Sequence, residues 1–209
     1  MDFEELAQKV NQELQAKNQA REEALPFARQ TIRASSSSIK AVHQAKFELA
    51  EDLLNKAKDK LKRCDDLLSD YPDIYFAGFL QDAQKEFVEA QTTFSLILGK
   101  PVPGPDELNV GYPSYLNGVG EAVGELRRHI LDIVREGNLE RGERFLKAMD
   151  EIYYLLVSFD YPEAIIPGLR RITDIARSIM ERTRGDLTNA ISQDNLKRAL
   201  SQFQENVKK

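Results

Sequence analysis

An all-α fold, a bundle of about seven helices, is what this sequence predicts, and three observations predict it. Good helix formers (Glu, Lys, Arg, Ala, Leu and Gln) dominate the composition. Apolar residues recur at three- and four-residue spacing along most of the 209 residues. No strand-like alternation of useful length and no repeat period breaks that pattern. The length suits a single helical domain, 1–209, able to bury a core.

Residues 3–43 read as a first helix, interrupted or kinked at Pro26, with Ser35 to Ser38 lowering its propensity without stopping it. A second helix, 46–69, carries Phe47, Ala50, Leu53, Leu54, Ala57, Leu61 and Leu68, and ends where Pro72 disfavours helix in the residue before it. The third, 74–98, has the apolar stripe Phe76, Phe79, Leu80, Ala83, Phe87, Ala90, Phe94 and Ile97. Segment 99–113, with four prolines and three glycines, reads as a long surface loop inside the domain. A fourth helix covers 114–136 on the stripe Leu116, Val119, Val123, Leu126, Ile130 and Ile133, and stops at Gly137-Asn138. A fifth covers 139–158. Asp160-Tyr161-Pro162 breaks the chain before a sixth at 163–183, and a turn at Gly185-Asp186 precedes a last helix at 187–207.

Composition excludes several classes. A net charge of −5 argues against a generally basic nucleic-acid binder, though not against a local basic patch. One cysteine, Cys64, allows neither an internal disulfide nor a cysteine-based zinc site, and its Asp-rich surroundings keep the thiol inert. The start, Met1-Asp2-Phe3-Glu4-Glu5, lacks the apolar stretch of a secretory leader. No apolar run approaches the roughly 20 residues of a membrane span. The expected location is cytoplasmic, with no membrane partner.

Two groups of residues stand out. From Ala24 to Phe47 there is no acid, and at about 100° per residue Arg29, Arg33, Ser36, Lys40 and His43 share one narrow arc. A solvated face ordinarily mixes both signs of charge. The missing counter-charges leave phosphate contact as open as a plain wet surface.

The second group is acidic. Lys85-Glu86-Phe87-Val88-Glu89-Ala90 spaces two carboxylates three apart, and Gly118-Val119-Gly120-Glu121-Ala122-Val123-Gly124-Glu125-Leu126-Arg127-Arg128 spaces two more four apart. Both spacings put the pair on one side of a helix. Four such carboxylates make a hard oxygen site suited to Mg²⁺ or Mn²⁺. Helical phase sets Glu121 and Glu125 opposite their apolar stripe, with Arg128 and Asp132, as wet-face acids would be. Against that, the i+4 neighbour of Glu121 is Glu125 and that of Glu125 is His129, so the acids repel unless a cation joins them. Gly118, Gly120 and Gly124 are costly inside a helix and point to a close approach there. His43 and His129 read as surface or structural residues rather than an acid/base pair.

Those two Glu-bearing motifs, with the Arg29…Arg33…Ser37…Lys40…His43 helix and the late Arg184-Gly185, resemble the translin family, and more closely its TRAX (translin-associated factor X) branch. The likeness covers nearly the whole chain, and the Glu motifs are its specific part. It implies an all-α protein assembled into a hollow homo-oligomer, commonly an octamer, that acts on RNA. From the TRAX pattern it implies a Mg²⁺-dependent endoribonuclease whose catalytic and metal-binding acids are Glu86, Glu89, Glu121 and Glu125. Position 121 is Glu where that pattern has Asp. Arg29, Arg33, Lys40, His43 and Arg128 are the expected nucleic-acid contacts. The alternative is a translin-like chain that binds RNA or single-stranded DNA without cutting it. A purely structural helical scaffold is a third reading, and it predicts no nucleic-acid affinity at low salt.

Overall fold

The computed structural model describes residues 2–207. Among them there is no strand, and eight helices follow in order: α1 Phe3–His43, α2 Phe47–Leu68, α3 Pro72–Tyr75, α4 Phe79–Leu98, α5 Pro105–Leu108, α6 Tyr112–Arg135, α7 Leu139–Val157 and α8 Leu169–Val207. The chain divides into two compact units, Met1–Val119 and Gly120–Lys209, and the division falls inside α6.

In the first unit α1 packs on α2 and α4. Its buried face is made mostly of small residues, including Ala20, Ala24, Ala28, Thr31, Ser35 and Ser38, which lets the helices approach closely. Ser38 Oγ donates to Ala50 O at 2.9 Å, and Thr31 Oγ1 reaches Ala57 O at 3.4 Å. The helix runs through Pro26 without a break: Pro26 is exposed, while Ala24 and Ala28 on either side are buried. Helix α4 starts later than the periodicity predicts. Gly78, at φ +104°, ends the α3 turn, and Gln81 Oε1 accepts from its N–H at 3.0 Å. Phe76 therefore lies outside α4 and is exposed.

The long 99–113 segment is tied down from within the unit. Asp65 accepts from Tyr75 Oη at 3.0 Å and from Asn109 Nδ2 at 2.9 Å, and buried Gln84 donates to Tyr75 Oη at 3.2 Å. Tyr115 Oη donates to Pro103 O at 3.1 Å. Burial raises the Asp65 pKa against the lowering effect of those two donors.

In the second unit α7 packs on α8. Two expectations are corrected here. The helix expected from 163 begins at Leu169, because Pro167 and Gly168 (φ +80°) interrupt it. No turn forms at Gly185-Asp186: α8 continues through both. Thr183 and Leu187, four apart and buried, hold that stretch, and Arg127 bonds Thr183 Oγ1 at 3.0 Å and Asp186 Oδ2 at 2.8 Å. Gly142 accommodates Leu187: a Cβ there would sit 3.1 Å from Leu187 Cδ1. No described helix is long and apolar enough to cross a membrane.

Candidate metal centre and nucleic-acid interface

The acidic residues of α4 are placed by its core. Leu80, Ala83, Phe87, Val88, Ala90, Phe94 and Ile97 are buried, which leaves Glu86 and Glu89 half-buried on the flank. On α6, Leu116, Val119, Val123, Leu126, Ile130 and Ile133 are buried as the periodicity predicts. A Cβ at Gly118 would lie 2.5 Å from Lys85 O and 2.7 Å from Val88 Cβ. Only glycine permits that backbone approach, made beside Glu86 and Glu89. Glu121 follows one turn later on the same helix.

Glu86, Glu89 and Glu121 each offer one carboxylate oxygen, and these oxygens lie within 4.8 Å of one another. Oxygens on one Mg²⁺ are about 2.9 Å apart when adjacent and about 4.1 Å when opposed, given bonds near 2.05 Å. The donor set fits a hard divalent cation after side-chain movements of roughly an ångström. All three residues are half-buried, so solvent only partly screens their mutual repulsion. Lys85 Nζ, 3.8 Å from Glu86 Oε1, is a neighbouring positive charge that the motif reading passed over, although it adjoins Glu86 in the chain.

Glu125 is not one of the three grouped acids. It is half-buried, and Arg128 Nη1 lies 4.0 Å from its Oε2. His129 meets Phe145 edge-on at 4.8 Å and lies 3.5 Å from Arg141 Nη2, a packed position on the second unit. On α1, Arg29, Arg33, Ser36 and Lys40 are exposed and His43 is half-buried. The hydroxyls of Ser35 and Ser38 do not line that row. Both residues are buried, and Ser38 bonds α2 instead.

No family model matches the chain. An uncharacterised protein of Methanocaldococcus jannaschii is 34% identical over 191 residues, which is 90% of this chain and 84% of that protein. Among solved structures, AfC3PO in its complex with duplex RNA is 36% identical with a TM-score of 0.84, over 90% of this chain and 97% of that one. The chain belongs to the translin family. A crystal structure of AfC3PO alone gives 34% identity and a TM-score of 0.82, with the same coverage. Apo-NeC3PO, at 21% identity and a TM-score of 0.79 over 88% of this chain and 96% of that one, shares the fold. Both Glu motifs of this translin-family chain thus stand on the helices, α4 and α6, that bring three of their acids together.

Proposed function

We propose that this translin-family chain is a Mg²⁺- or Mn²⁺-dependent endoribonuclease of TRAX-like type, working inside a hollow homo-oligomeric shell, an octamer, in the cytoplasm. The observation that carries this reading is the meeting of Glu86, Glu89 and Glu121 within 4.8 Å. These three carboxylates, with Glu125 one turn further along α6, are the groups that would hold the ion. When bound, such an ion polarises a phosphodiester and lowers the pKa of attacking water. Arg128, 4.0 Å from Glu125 and otherwise exposed, places a backbone phosphate beside the acids. Arg29, Arg33, Lys40 and His43 hold more distant phosphates without reading sequence, so binding weakens as salt rises. The duplex RNA held by AfC3PO supports RNA as the ligand.

Assembly has its own support. Leu196, Leu200, Phe203 and Val207 follow helical spacing near the end of α8, and each is more than half exposed. Phe3, Leu6, Val10 and Leu14 follow the same spacing at the start of α1 and are all exposed, from 39% at Leu6 to 82% at Phe3. A second copy of the chain would cover such rows.

A second reading, binding of RNA or single-stranded DNA without cleavage, is favoured by Glu125 standing outside the acidic group. The two separate on Glu125→Ala. The nuclease reading expects RNA cleavage in Mg²⁺ to fall by about a hundredfold or more while binding in EDTA persists. Binding that survives EDTA, with no cleavage by the parent protein at any Mg²⁺ or Mn²⁺ concentration, selects the second reading. Cleavage equal to the parent's removes Glu125 from the catalytic set.

A further inference from the structure

Helix α6 carries a third motif glycine that packing does not explain. A Cβ at Gly118 would strike Lys85 O and Val88, and one at Gly120 would come within 2.7 Å of Ile172 Cγ1. A Cβ at Gly124 would meet nothing within 4 Å. Gly124 also has no left-handed backbone to satisfy, being inside a regular helix. The helix bears the propensity cost of glycine there with no internal packing in return. That leaves an external reason for the missing side chain.

Gly124 forms one end of an open groove of about 510 Å³ lined by Arg127, Arg128, Leu131, Asp132 and Arg135. Three arginines face one aspartate. Arg127 is a fixed wall, held by Thr183 at 3.0 Å and Asp186 at 2.8 Å. Arg128 and Arg135 extend into solvent, and their carboxylate neighbours, Glu125 at 4.0 Å and Asp132 at 3.7 Å, are too distant for tight pairs. Gly124, Arg128, Leu131 and Arg135 recur at helical spacing, so the groove follows one face of α6 for about 16 Å. Its Gly124 end is one turn from Glu121.

We infer that this groove is a track for the sugar–phosphate backbone of RNA leading to the acidic cluster, with Gly124 left bare so that the strand can lie against α6 and Arg135 holding a phosphate at the far end. The inference rests on the nuclease reading and adds Gly124 and Arg135 to it. The charge favours phosphodiester, since three arginines line the groove against one aspartate. Arginine also presents the planar fork that phosphate oxygens accept.

The test uses the full chain in EDTA, with a short duplex RNA as probe and three variants: Gly124→Ala, Gly124→Leu and Arg135→Ala. Alanine and leucine are better helix formers than glycine, and a Cβ at 124 meets nothing within 4 Å, so both Gly124 variants should melt at or above the parent temperature. RNA affinity should fall modestly for Gly124→Ala and by about tenfold or more for Gly124→Leu. Arg135→Ala should weaken binding by about tenfold and reduce the salt slope by about one. Solution mass should stay at the parent value. Unchanged affinity in all three variants, with the parent binding RNA, overturns this inference and leaves the nuclease reading standing. A parent that binds no RNA overturns both. Unchanged affinity with a reduced solution mass shows instead that the groove seats a second copy of the chain.

Discussion

The thiol of Cys64 is fully buried against α1, 3.5 Å from Ala24 O, and burial, with a smaller push from Asp65, raises its pKa to about 12. Thiolate is therefore absent at neutral pH, and a thiol reagent should label Cys64 on unfolding but not in the native protein. The folded state keeps the proton between the ordinary value of 9.0 and about 12. The stability tied to that proton is present below pH 9.0 and lost as pH rises through about 12. Thermal melts across that window should fall more steeply for the parent than for Cys64→Ala, and equal slopes would contradict this account. At the acidic site the same scale sets a different expectation. Glu89→Gln removes one of three clustered carboxylates, so it should melt at or above the parent temperature in EDTA. The melting temperature gained on adding Mg²⁺ should shrink or vanish in that variant, as binding linkage requires.

Two glycines of α6 make opposite predictions from the same substitution. Gly118→Ala forces a Cβ to within 2.5 Å of a main-chain oxygen of α4 and should cost about 1–3 kcal/mol of stability, read by denaturant unfolding. It should also weaken Mg²⁺ binding, since Glu121 shifts with the helix. Gly124→Ala meets open space and should stabilise by about 1 kcal/mol. How much was legible in the sequence follows from the same physics. Strong amphipathic stripes located α2, α6 and the body of α4 well, because burial of one face dictates both the period and the helix. Boundaries failed where a local residue competed with its neighbours. Gly185 stays helical because Thr183 and Leu187 are both buried, whereas Pro167-Gly168 breaks a stretch whose apolar content reads as helix. At the site, phase alone set Glu121 on a wet face. Gly118, one turn before it, is where the backbone of α4 comes close, so that glycine was the informative signal. Spacing along one helix carries no information on how far a carboxylate reaches across to another, which is why the place of Glu125 outside the group of three was not legible.

At the scale of the whole molecule, the apolar rows of α1 and α8 are more exposed than a solitary small protein ordinarily tolerates. Replacing Leu200 and Phe203 together by glutamate should lower the solution mass while leaving helix content unchanged, and an unchanged mass would exclude that row from assembly. A shell would also turn the half-exposed acids and the exposed Arg29, Arg33 and Lys40 into groups meeting RNA in a confined, charged space. The most direct measurement is single-turnover cleavage of a short RNA by the parent protein and by Glu121→Gln, each in Mg²⁺ and in EDTA. The account predicts cleavage by the parent in Mg²⁺ alone and a loss of about a hundredfold or more in the variant, with RNA still bound. Cleavage that persists in EDTA, or that Glu121→Gln leaves at the parent rate, would contradict it.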